Sequence, residues 1–393
     1  MRRILIAAAA LVVAVVGTAA PAAADPATPT NFESRVLSVT PARAASAISV
    51  KVVGGDGFLE LHVHPGHTAI VRGYGTSGYG TVTTAEPWLQ VLRDGTVQEN
   101  QNSPATYLNA NRYATNPKFP PGFDINKASS LPPIWATVGR HGTYVWHDHR
   151  IHWMGAHQQA PLVPGTHRVR LTDRSDGNWI VPMVVDGQAT TVRGELLLHP
   201  APSPLPWLAL LVGAAALVVA LGLVLDPIRA ATVGVAAAGI VAIYAGFQQR
   251  AVVPDAAGGS PLSWLLPAFG IVCAASAVLF RNRPARVIAL LAGSATVIGW
   301  GLMDFDALWK AMPLSALSAP AAHALQAAAM GLAAGAALSA IRSGALASVP
   351  RELAVDEAEN VQPPTAPGEA NCADEAASGT RPGQWRDPDL GPR

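Results

Sequence analysis

The chain has 393 residues, of which 50% are hydrophobic and only 13% charged, with a formal net charge of +1. Charge content this low excludes an ordinary soluble globular protein and predicts a partly membranous one. The near-neutral balance, with no basic stripe in the N-terminal half, excludes nucleic acid as a main partner.

Residues 1–24 read as a secretory signal peptide. Arg2 and Arg3 form the charged start, Ile4 to Val16 the apolar core, and Ala22-Ala23-Ala24 the small residues before cleavage at Asp25. A flexible Pro/Ala/Thr segment follows at 25–32. Ile48 to Val52 alternates in polarity, Gly54-Gly55-Asp56-Gly57 supplies a turn, and Leu59 to His64 alternates again, which predicts a hairpin. Thr68 to Arg72 is a further strand. Trp88 to Leu92 and Thr96 to Gln98 flank Arg93-Asp94-Gly95 as a second hairpin. Residues 100–133 form a long irregular excursion, and strands resume at 134–138, 142–149, 167–172, 179–185 and 190–198. Short strands with turn signals about every 8–12 residues predict an all-β sandwich, Ig-like or cupredoxin-like, over residues 25–200.

A Pro-rich linker at 200–206 leads into five apolar segments, near 205–225, 230–247, 261–280, 286–303 and 320–341. Each approaches the ~20 residues that cross a bilayer. Residues 201–342 therefore read as an all-α bundle of five transmembrane helices, with the lipid bilayer as partner. Arg229, Arg281, Arg283, Arg286, Arg342 and Arg351 follow the first, third and fifth spans, whereas the loops 248–260 and 304–319 hold only Arg250 and Lys310. The positive-inside rule then makes this a multi-pass plasma-membrane protein with residues 25–200 outside the cell. Residues 343–393, rich in Pro, Gly and acidic residues, read as a disordered cytoplasmic tail.

Cys273 lies in the third span and Cys372 in the tail, so residues 25–200 contain no cysteine. The β domain must fold without disulfides, and a thiolate-ligated blue-copper centre is excluded. What it does contain is Trp146-His147-Asp148-His149-Arg150-Ile151-His152-Trp153-Met154, three imidazoles and a thioether in one short run. Neutral imidazole is the commonest ligand for borderline metals, and thioether sulfur suits Cu(I). Copper is the expected ion, and zinc would accept the same imidazoles. On a strand His147 and His149 share a face, while His152 and Met154 have the other parity, so a bend near Arg150-Ile151 is needed for all four to meet. His62 and His64 repeat the His-x-His spacing on a neighbouring strand, and two such pairs would make the four-nitrogen set that suits Cu(II). The competing reading makes the histidines structural, in a cell-envelope interaction or scaffold protein. No nucleophile elbow, His-Glu-x-x-His helix or phosphate loop is present in the sequence, so no enzyme class is indicated.

Gly142-Thr143-Tyr144-Val145-Trp146-His147-Asp148-His149 resembles the Gly-x-Tyr-x-(Trp/Tyr)-His-x-His run of cupredoxin-type copper proteins and multicopper oxidases. The resemblance covers about a dozen residues, implies copper ligation by His147 and His149 only, and departs from those families in having no following Cys. The layout of leader, β domain and five spans, centred on the 146–154 run, is similar to a family of uncharacterised actinobacterial membrane proteins. It also resembles fusions of the copper-resistance proteins C and D. That resemblance implies copper sequestration, delivery or handover to the membrane part, with another envelope protein as a candidate partner.

Overall fold

The structure, a computed structural model, describes residues 25–75, 85–114, 116–155, 158–172 and 176–344. The signal peptide assigned to 1–24 and all but the first two residues of the 343–393 tail lie outside the described residues.

The β region is built from β1 (Phe32–Thr40), β2 (Ile48–Val53), β3 (Phe58–Val63), β4 (Ala69–Arg72), β5 (Pro87–Val91), β6 (Val97–Asn100), β7 (Trp135–Gly139), β8 (Thr143–Trp146), β9 (Trp179–Val185) and β10 (Gln188–Leu198). Short helices α1 (Ala42–Ala45), α2 (Pro104–Leu108) and α3 (Ile125–Ala128) lie between them. The strands form two antiparallel sheets, ordered β1-β10-β9-β4-β5-β6-β7 and β2-β3-β8. The alternation read in 48–52 and 59–64 is a β2–β3 hairpin, paired from Ile48 with Val63 to Val53 with Phe58. Gly54 and Gly55 turn it at φ of 69° and 73°, a region that side-chain-bearing residues avoid. Leu59 and Leu61 of β3 pack against Val71, Leu89 and Val181 of the larger sheet to form the core. Trp146, the last residue of β8, meets Trp88 of β5 edge-on at 5.3 Å.

Three elements differ from the expectation. β1 begins inside the segment expected to be flexible and runs to Thr40, because β10 offers it a partner more than a hundred residues away. Residues 167–172 make only isolated bridges, Leu162 with Val169 and Arg168 with Leu197. The strand expected over 142–149 ends at Trp146.

Five helices follow: α4 (Leu205–Val224), α5 (Pro227–Val252), α6 (Leu262–Leu279), α7 (Arg283–Met303) and α8 (Ala319–Arg342), each long and apolar enough to cross a membrane. Asp226 stops α4 from continuing into α5 by capping the latter, its Oδ1 accepting from the amides of Ile228 and Arg229 at 3.0 and 3.1 Å. Asn282 caps α7 in the same way, accepting from Ala285 N at 2.9 Å. Small residues let the helices approach closely: a Cβ at Gly331 would sit 2.2 Å from the Leu211 carbonyl oxygen of α4. Large apolar side chains such as Val212, Leu223, Ile240 and Leu338 point outward, as a lipid environment requires.

The two ends of the bundle are distinguishable. Arg283 contacts Asp226 at 3.3 Å, so the α4–α5 and α6–α7 turns share one end. Gln249 donates to Asp304 at 2.9 Å, so the α5–α6 and α7–α8 connections share the other. The β region is docked on this second end. Thr30 and Met312 exchange backbone hydrogen bonds of 3.2 and 2.8 Å, Ala27 N donates to Ala257 O at 3.0 Å, and Ala311 N donates to Asn31 Oδ1 at 2.8 Å. Ala27, Val53 and Phe58 share a hydrophobic cluster with Val253 and Ala257. A cavity of about 280 Å³ lies at the junction, lined by Pro26 and Ala27 on one side and by Gln249, Trp300, Asp304 and Gln326 on the other.

Candidate metal centre

β8 delivers the chain to the site and then releases it. After Trp146 the residues Asp148 to Ile151 make a tight turn, closed by Ile151 N donating to Asp148 O at 3.1 Å. The Asp148 side chain stabilises the turn as an Asx-type bend: its Oδ1 accepts from Arg150 N at 3.0 Å and from Arg150 Nε at 2.8 Å. Its Oδ2 accepts from Arg150 Nη2 at 2.7 Å and from Trp146 Nε1 at 3.0 Å. Burial pushes the Asp148 carboxyl up, but the Arg150 charge and the hydrogen bonds from Arg150 and Trp146 together hold the group below its ordinary value. On a regular strand Asp148 and Arg150 would form an alternating exposed pair, and the turn prevents it. Both are buried, and their bidentate pair is the hub around which the segment bends.

The bend brings two of the imidazoles together and buries all three. His147, His149 and His152 are each 2% exposed or less. The rings of His149 and His152 lie 5.6 Å apart, nearly edge to face. His147 stacks on Phe58 at 4.0 Å, which ties it to the cluster shared with Val253 and Ala257 at the junction. Tyr74 stacks on His149 at 5.7 Å, and its hydroxyl accepts from the His149 amide at 3.0 Å.

Each ring uses one nitrogen on a backbone carbonyl. His149 Nε2 meets Asn111 O at 3.1 Å, and His152 Nε2 meets Arg112 O at 2.5 Å. A carbonyl only accepts, so both rings carry their proton on Nε2 and present a lone pair at Nδ1. Neither Nδ1 has a hydrogen-bond partner. His147 is approached on both sides, by Gly57 O at 2.7 Å from Nδ1 and by Asp25 O at 3.0 Å from Nε2. Burial lowers the basicity of all three imidazoles. For His152, which is held furthest below its ordinary value, burial is joined by the charges of Arg112 and His149. A neutral His147 has one N–H to give, so one of its nitrogens faces a carbonyl oxygen lone pair to lone pair.

The accepting carbonyls of Gly57, Asn111 and Arg112 sit on two segments braced by a buried ion pair. Asp56, fully buried, binds Arg112 Nη2 at 2.5 Å and so holds the 56–57 turn against the 111–112 loop. Sequence reasoning missed Asp56, Arg112, Asn111 and Gly57. The last two act through backbone oxygens, which leave no side-chain signature, and Arg112 falls in an irregular stretch without periodicity.

The other expected ligands lie elsewhere. His62 pairs in register with Thr143, at the opposite end of β8 from His147, and its Nδ1 contacts Thr143 Oγ1 at 2.7 Å. His64 Nδ1 contacts Ser46 O at 2.9 Å. The rings of His62 and His64 do face each other, at 5.4 Å, as their spacing predicts. About four residues of strand, roughly 13 Å, separate this pair from His147. Met154 is half-buried two residues beyond His152. Among the described residues, no three His, Cys, Asp or Glu side chains stand in an arrangement that would hold an ion. No family model, curated protein or solved structure matches the chain.

Proposed function

We propose that the chain is a membrane-anchored metal-binding protein whose β domain, outside the plasma membrane, takes copper through His147, His149 and His152. The role would be sequestration, delivery or handover to the helices beneath. The observation that carries the reading is the division of labour on each ring. The Nε2–H of His149 and of His152 is committed to a carbonyl, while Nδ1 is buried and unpartnered. Ligating histidines in metal sites are oriented in this manner, one nitrogen to a backbone or carboxylate acceptor and the other to the ion. Orphaned buried lone pairs are otherwise costly, so their presence on two adjacent rings calls for a partner. The donors are nitrogens alone, a set that accepts Cu(II) or Zn(II), and Met154 would add preference for Cu(I) if it joined.

The orientation is part of the proposal. Arg229, Arg281, Arg283, Arg286 and Arg342 gather at the end of the bundle away from the β domain, which supports a cytoplasmic location for that end.

The test is titration of the full chain in detergent with Cu(I) and Cu(II), with metal content measured after dialysis. The expected result is one tightly held ion. His149→Ala combined with His152→Ala should weaken binding by orders of magnitude in a protein whose circular dichroism remains that of the folded parent, although the loss of two buried rings lowers its melting temperature. A second reading is favoured by the carbonyl bonds themselves: the histidines are structural, and the junction serves an envelope scaffold. A metal-free protein whose titration shows no binding would establish that reading.

A further inference from the structure

We propose that the cavity between the β region and the helix ends binds an organic ammonium ion, a primary amine on an apolar body, whose N–H groups bond to Asp304 Oδ1, Gln249 Oε1 and Gln326 Oε1. The site is separate from the imidazoles and does not depend on what they bind.

Three oxygens without a donor carry the inference. Asp304 stands just past the end of α7, and its Oδ2 accepts from Gln249 Nε2 at 2.9 Å. Gln326 Nε2 donates to Gly301 O and to Asp304 O, both at 2.9 Å. Carboxylate and carbonyl oxygens accept, so these bonds fix which end of each amide is nitrogen and leave both amide oxygens over. Among the described residues no donor reaches Gln249 Oε1, Gln326 Oε1 or Asp304 Oδ1, although Gln326 is only 9% exposed. All three side chains line the cavity. Asp304 ties them together, since each amide oxygen lies about 2.2 Å from a nitrogen bonded to that residue.

Charge and shape narrow the ligand. No Lys or Arg among the described residues pairs with Asp304. Burial pushes its carboxyl up against the hydrogen bond from Gln249, and the neighbouring Asp306 charge adds to the rise. A carboxylate taken out of water without a partner is costly, and a cation within reach removes that cost. Arg250 also lines the cavity, but its guanidinium is held by Asp255 at 2.7 Å. The wall otherwise includes Ala245, Val253, Met303, Leu314 and Leu325, beside the indole of Trp300. A volume of about 280 Å³ is many times what one water or small ion fills. An ammonium group offers three N–H donors to the three acceptors, an aromatic neighbour favours the cation, and an alkyl body covers the apolar side. Pro26 and Ala27 close the cavity from the β region, so a bound amine touches both parts of the molecule.

The experiment titrates the full chain in an uncharged detergent, by calorimetry, with hexylammonium, hexyltrimethylammonium, hexanol and sodium ion. Hexylammonium should bind saturably at one site. Hexyltrimethylammonium keeps the charge without N–H groups, and hexanol keeps the chain without the charge. Each should bind about 10–100-fold more weakly, the factor that loss of a hydrogen bond to a charged group implies. Asp304→Asn should weaken hexylammonium by a similar factor. Ala245→Leu, which fills the apolar wall and leaves the three oxygens in place, should weaken it as well. Should Asp304→Asn fail to fold, Ala245→Leu and the ligand series on the parent still decide. No saturable binding to the parent would overturn the inference and leave water as the occupant. Hexanol binding as tightly would make this a plain apolar pocket, and sodium binding as tightly an inorganic-ion site; either result overturns it. So does hexylammonium binding that neither substitution changes, which would place the amine in the micelle or on the surface.

Discussion

At the scale of single residues, the buried Asp148–Arg150 pair is the feature on which the candidate site hangs. Arg150 also donates to Arg72 O at 3.1 Å, so its charge is committed on several sides. Removing only the carboxylate leaves that guanidinium buried and unpaired, and Asp148→Ala should cost about 3–5 kcal/mol in chemical denaturation. A loss under about 1 kcal/mol would show that water replaces the carboxylate and that the turn does not depend on it. The three imidazoles impose a pH dependence on the metal-free protein. Their folded-state basicity is lowered by burial, so the unfolded chain binds protons first as pH falls. Stability is therefore fully present above the ordinary histidine value near 6.5 and declines below it, by up to about 1.4 kcal/mol per pH unit for each ring. Denaturation midpoints between pH 7.5 and 5 measure this, and the triple variant with alanine at 147, 149 and 152 should lose most of the slope.

At the scale of elements, β1 and β10 show how strand pairing is enforced. Trp179 of β9 is fully buried and its Nε1 donates to Ser34 Oγ of β1 at 2.9 Å. The indole lies across Gly194 of β10, where a Cβ would fall 2.0 Å from Trp179 Cζ2 and 2.3 Å from the Arg35 carbonyl oxygen. Gly194→Ala must move either the indole or the β1 backbone, and overpacking of this kind costs about 1–3 kcal/mol. Thermal unfolding would read it as a lowered Tm, and an unchanged Tm would mean that β1 is free to shift. The β8 turn obeys the same logic in reverse: Asp148 competes for local backbone amides and so ends the strand at Trp146, where ladder pairing alone would have extended it.

At the scale of the whole molecule, the β domain and the helix bundle are joined by more than the 200–204 linker. The Thr30–Met312 bridge, the Asn31–Ala311 bond and the cluster around Phe58 hold them together. Cysteines introduced as Thr30→Cys with Met312→Cys should form a disulfide on mild oxidation, since residues opposed in an antiparallel bridge have Cα atoms about 4.5–5.5 Å apart. A pair that stays reduced in the folded protein would show that the two regions separate.

Much of this architecture was legible along the chain. The β2–β3 hairpin announced itself by two alternating runs around Gly54-Gly55, and the five spans by apolar length bounded at Asp226-Pro227 and at Arg281 to Pro284. Local rules suffice where the partner of a segment is its neighbour or the lipid. β1 was not legible, since its alternation is weak, with Leu37 exposed, and its partner β10 lies far away in sequence. The three histidines were found because their number in so short a run is unusual, yet the surroundings of each ring were not.

What the sequence by itself determined is composition-driven: a cysteine-free β domain with a concentration of imidazoles inside it, and a membrane-sized helical part. Only the tertiary structure decided which of those imidazoles share a place. It set His62 and His64 at the far end of β8, buried Asp148 with Arg150, and brought the carbonyls of Gly57, Asn111 and Arg112 to the rings. The reason is physical. Side-chain chemistry is written residue by residue, but which backbone oxygen a ring nitrogen meets depends on long-range packing that no local pattern encodes.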